Sequence, residues 1–93
     1  MSSAHPTATA VNGIRLLSAI AREIRADWTK PYFGAVPYLD AMLSLRTMQD
    51  MYYSDTARSV VLYFLSNAAT WKGDTARRVK AELKSMLKEG SGR

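Results

Sequence analysis

The residues best placed to do something beyond folding are cations near the C-terminus. Arg77, Lys80, Lys84 and Lys88 are spaced 3, 4 and 4 apart, so on a helix they fall within an arc of about 80°. Such a row suits a phosphate backbone or an acidic protein surface. It suits equally the solvated side of a helix whose last turn favours cations. The net charge is +5, and the stretch from Lys72 to Arg93 holds seven basic and three acidic residues, +4 of that total. Arg15, Arg22 and Arg25 extend the ridge if their own helix packs alongside.

A second group is aromatic. Tyr32 and Phe33 lie in a connection, TKPYFGAVP, that is unusually apolar for one holding two prolines and a glycine. Their rings either fold back over the core as a lid or stand exposed as anchors for a partner, a role common for aromatic side chains. Tyr52 and Tyr53, after Met51, pose the same choice. Exposed together, these groups make a binding patch or a self-association face, and five methionines add adaptable apolar surface.

Catalytic chemistry finds little to work with. The chain has no cysteine and a single histidine, His5, which excludes disulfides, thiolate metal sites and a histidine metal cluster. Serine and threonine have no histidine base outside the first few residues. Asp27, Asp40, Asp50, Asp55 and Asp74 are scattered, and Gly13, Gly34 and Gly73 are isolated, so no phosphate-cradling loop is present. The expectation is a non-enzymatic protein with no catalytic residues, no metal and no cofactor.

The elements that position these groups follow from periodicity. Ile14, Leu17, Ala21, Ile24 and Trp28 recur at 3, 4, 3 and 4, which predicts a helix from Val11 to Trp28. A second helix is expected from Pro37, at its first position, to Asp50 or slightly beyond, with Tyr38, Ala41, Met42, Leu45, Gln49 and Tyr52 on one side. Asp55-Thr56-Ala57-Arg58 and Asp74-Thr75-Ala76-Arg77 repeat after 19 residues, and each reads as a helix start with Asp as the cap. They open a third helix, about 56–71, apolar nearly all round and therefore central, and a fourth, about 75–88, with Ala76, Val79, Leu83 and Met86/Leu87 inward. Ala69, Gly73 and Val79 echo a helix-turn-helix. Lys72, Asp74 and Glu82 occupy positions where that motif wants apolar packing or no negative charge, so a plain helical hairpin describes the segment better.

The fold expected is all-α, a compact four-helix bundle with a buried third helix, in one domain over residues 10–89 between a disordered lead-in (1–9) and a flexible tail (90–93). The longest strongly apolar run, Val60 to Leu65, is six residues, far short of the ~20 that cross a bilayer. The start of the chain lacks the basic-then-apolar pattern of an export signal, so a cytoplasmic location is expected.

Three segments, YFGAVPYLDAM, VVLYFLSNAATW and KGDTARRVKAELK, together resemble small uncharacterised helical proteins of bacteria and their bacteriophages, over roughly residues 20–88. The resemblance carries no activity, cofactor or site residue. It implies a small cytoplasmic factor, of bacterial or phage origin, that acts by binding. The function expected is protein–protein interaction through Tyr32, Phe33, Tyr52 and Tyr53, with a host protein as the partner if the chain is a phage product. The alternative is nucleic-acid binding through the basic ridge, and a homo-oligomer is compatible with both.

Overall fold

The computed structural model describes residues 10–11 and 14–90, and these begin with a hairpin rather than a helix. Strand β1 (Ala10–Val11) pairs antiparallel with β2 (Ile14–Arg15), Val11 opposite Ile14. β-branched Val11 and Ile14 prefer extended backbone. Ile14, expected in a helical core stripe, is half exposed instead.

Helix α1 (Leu17–Asp27) buries Leu17, Ile20, Ala21 and Ile24 along one face. It has no side-chain cap. Its leading N–H groups are satisfied from a distance: Leu17 and Ser18 donate to the carbonyls of Arg46 and Leu45, both at 2.9 Å. That contact explains the largest departure from expectation. Helix α2 (Val36–Met42) follows a single 3₁₀ turn (Phe33–Ala35), carries Pro37 in its first turn and stops at Met42. Past Leu43 the chain bends so that its carbonyls can serve α1, and the Asp50 carboxylate holds the bend by accepting from the Arg46 N–H at 2.8 Å and the Thr47 hydroxyl at 3.2 Å. Continuing α2 to Asp50 or Tyr52 would leave the start of α1 with orphan donors.

A second hairpin follows, β3 (Met51–Tyr52) with β4 (Asp55–Thr56). Asp55 therefore lies in a strand, and the cap of α3 (Ala57–Ser66) is Thr56, whose hydroxyl accepts from the Ser59 N–H at 3.1 Å. Helix α3 is not buried all round. Ala57, Val60, Val61 and Phe64 face inward, while Leu62 and Tyr63 on the outer face are more than half exposed. It ends at Ser66, short of Trp71. Gly73, at a φ of 112° that disfavours any side chain, turns the chain into α4 (Asp74–Gly90). Asp74 is the first residue of that helix and pairs with Arg77.

Helix α2 packs on α1 and α3, and α4 packs on the same two. Contacts of Arg15 with Glu82 and of Glu23 with Arg78 show that α1 and α4 run in opposite directions. At one end of the pair Trp28 stacks on Trp71, with centroids 5.8 Å apart and rings 12° from parallel, and Phe64 meets both edge-on. These rings join Leu39, Met42, Val79 and Leu83 in one core. The protein is thus mostly helical, with four α-helices among the described residues, but two short hairpins keep it from being all-α. No helix among those residues is long and apolar enough to cross a membrane. The lead-in at 1–9 and tail positions 91–93 lie outside the described residues.

Candidate functional site

The 3₁₀ turn delivers the first aromatic pair to the surface. The turn seats closely on the end of α3: a Cβ on Gly34 would stand 2.6 Å from Tyr32 Cε2 and 2.8 Å from Asn67 Oδ1, so a larger residue would displace those two side chains. Tyr32 and Phe33 pack on each other, centroids 4.9 Å apart, and Phe33 remains 79% exposed. They stand out from the core rather than closing over it. Asn67, beside them, donates to the Tyr63 carbonyl at 2.8 Å. The Tyr63 ring, 54% exposed, leans on Tyr38 at 5.4 Å. The pair Tyr32–Phe33 on the 3₁₀ turn and the pair Tyr38–Tyr63 across α2 and α3 therefore both adjoin Asn67 at the C-terminal end of α3. Tyr63 is not singled out from sequence, because VVLYFL reads as apolar on every side. The legible signal was Leu62, Tyr63 and Ser66, which share the face opposite Val60, Val61 and Phe64.

Tyr52 and Tyr53 are elsewhere. Their hairpin leads into the N-terminus of α3, whereas Gly34 and Asn67 mark its C-terminus, about 15 Å away along a ten-residue helix. Tyr53 occupies the hairpin tip with a φ of 57° and is 87% exposed. A tyrosine in the left-handed region costs roughly 1 kcal/mol that asparagine or glycine would largely avoid. The sequence grouped four aromatic residues; the fold makes two separate sites of them.

The cations divide as well. Arg15 forms two hydrogen bonds to Glu82, at 3.0 and 2.6 Å, and contacts Glu23 Oε1 at 2.8 Å. Arg78 takes the other Glu23 oxygen. Glu23 Oε1 is buried without a hydrogen bond of its own, held only by the charge of Arg15. Arg78, then Arg15 against the effect of burial, keeps the Glu23 carboxyl below its ordinary value; Glu82 raises the hold of Arg15 on its proton. Arg25 pairs with Asp40 at 2.6 Å, and Arg22 is exposed on α1. Arg15, in β2, is engaged by Glu82 and Glu23, and Arg25 by Asp40 of α2, so these two arginines are held by carboxylates and not left to extend the α4 ridge.

On the opposite flank of α4, Lys80 Nζ donates to the Trp71 carbonyl at 2.7 Å and stands 5.9 Å from its ring centroid. Burial, then Lys72 and Lys84, lowers its pKa. Lys84 is exposed one turn on, Arg77 is engaged by Asp74, and Lys88 lies in the last turn. Lys72, absent from the ridge as read from spacing, precedes the Gly73 turn into α4 and is one of the charges acting on Lys80.

Among the described residues no group of three or more His, Cys, Asp or Glu side chains is arranged to hold a metal ion. Comparison with family models, with curated proteins and with solved structures gave no match.

Proposed function

We propose that this protein is a small, non-enzymatic protein–protein interaction module of the cytoplasm, whose partner surface is the aromatic face of Tyr32, Phe33 and Tyr63. One observation carries the reading: Phe33 is 79% exposed although its neighbour Ala35 is fully buried, on a turn seated closely against Asn67. A small fold needs its apolar groups inside, so a large ring held outside on a braced turn serves contact with something else. Tyr53 supports a second contact point, because its exposed ring is kept at a strained backbone position.

The test is site-specific photo-crosslinking in bacteria producing the protein, with the crosslinking residue at Phe33, at Tyr53 or at exposed Arg22. Discrete adducts from Phe33 and none from Arg22 are expected. Phe33→Ala with Tyr63→Ala should weaken capture of the purified adduct partner by at least about 30-fold, the scale of a hot spot, with helical content unchanged. Equal adducts from Arg22, or capture that survives both substitutions, would remove this face from consideration. Adducts of twice the chain mass would identify the partner as a second copy.

A further inference from the structure

The aromatic face leaves the lysine flank of α4 unexplained. Trp71 is fixed from three directions: it stacks on Trp28, its Nε1 donates to Asp27 Oδ2 at 2.8 Å, and its carbonyl receives Lys80 Nζ at 2.7 Å. Lys80 is therefore held in place, and two of its three ammonium hydrogens remain for other acceptors. Lys84 rises about 6 Å further along the same flank, and Lys72 approaches from the turn before the helix. Neither Lys72 nor Lys84 has a carboxylate partner among the described residues; the nearest acids in sequence, Asp74 and Glu82, are taken by Arg77 and Arg15. The three charges are close enough to weaken the hold of Lys80 on its proton. Folding places these cations where Lys72 and Lys84 act on Lys80, with no carboxylate paired to Lys72 or Lys84 among the described residues, and an anion from outside relieves that repulsion.

We propose that Lys72, Lys80 and Lys84 bind the phosphate backbone of a nucleic acid, without base readout. The charges are strung along an open helix flank, so they meet successive phosphates rather than enclose one. The rings beneath them, Trp71 and Trp28, are buried and offer no surface for base stacking, so the site reads charge alone. It shares no residue with the aromatic face and stands or falls independently of it. It also differs from the ridge expected from spacing: Lys72 enters, while Arg77, Arg15 and Arg25 are paired with carboxylates.

The experiment is fluorescence anisotropy of a labelled DNA duplex titrated with the full chain between about 50 and 200 mM salt. Three phosphate contacts predict a log–log salt slope of about −2.7. Lys72→Gln with Lys84→Gln should cut affinity at the lowest salt at least about tenfold and flatten the slope by roughly 1.8. Lys80→Met, which keeps the stem over Trp71, should flatten it by about 0.9. Arg22→Gln with Arg46→Gln removes the same charge from distant exposed positions and should change affinity less than about twofold if localised contacts dominate. Circular dichroism of each variant checks that the fold survives. No binding at the lowest salt overturns the proposal. So do equal losses in the two double variants, which would mean attraction by net charge, and displacement by inorganic phosphate at matched ionic strength, which would mean a single-phosphate site.

Discussion

On the flank of α4 that faces α1, Arg78 and Glu82 are locked to Glu23 and Arg15. On the other flank Lys80 rests on a tryptophan, with Lys84 one turn beyond it, and among the described residues no carboxylate is paired with Lys80 or Lys84. Both flanks are built from long charged side chains on one amphipathic helix. What separates them is the neighbour. Helix α1 brings Glu23 to its flank, whereas α3 brings Arg58, whose guanidinium donates to the Leu87 carbonyl at 2.9 Å. A charged face is spent on structure or left for partners according to what packs beside it, and its own spacing does not decide which.

The difference is open to test, beginning with the support beneath the lysines. Trp71→Ala removes a buried ring, its stacking on Trp28 and its bond to Asp27, and should cost about 3–5 kcal/mol in urea unfolding; a loss under 1 kcal/mol would mean the lysine flank has no rigid base. Next, Glu82→Gln should cost about 1–2 kcal/mol because Arg15 loses its bidentate partner, while Lys84→Gln should stay within about 0.5 kcal/mol of the parent. Equal costs would erase the distinction between the flanks.

Acid should affect the two sides differently. The folded pKa of Glu23 lies below its ordinary value of 4.5, so its contribution is complete above that pH and is lost as pH falls through the folded value. Glu23→Gln should flatten that part of the acid limb in a pH series of thermal midpoints. Lys80 has the opposite sign. Its folded pKa lies below 10.5, so stability should rise as pH climbs through the folded value, and Lys80→Met should abolish the rise. The smallest effect expected is that of salt. Raising it should weaken the Glu23–Arg15 side and relieve the lysine side, so Glu23→Gln should turn a nearly flat salt response into a stabilising one, read from thermal midpoints.

Much of the fold was legible. The inward stripes of α1 and α4 were read correctly from Leu17, Ala21, Ile24 and Trp28 and from Ala76, Val79, Leu83 and Leu87, because each depends only on residues one turn apart. The first strand pair is hidden in the sequence, because Ile14 continues the apolar spacing of α1. Residues 43–56 were not legible in the same sense. Leu43 and Leu45 continue a helical pattern, and only the need of α1 for the carbonyls at 45 and 46 ends the helix at Met42.

By itself the sequence determined which residue types were available: no thiol, one histidine, an excess of positive charge near the C-terminus, aromatic rings in a proline-rich connection. It also determined the faces of the helices, since periodicity is a local property of the backbone. Tertiary structure alone decided that Arg15 meets Glu82, 67 residues away, that Lys80 rests on Trp71, and that Tyr63 packs on Tyr38 while Tyr53 packs on Tyr52. Those outcomes depend on which faces meet across the core, and contacts between residues distant in the chain leave no mark in the spacing of either partner.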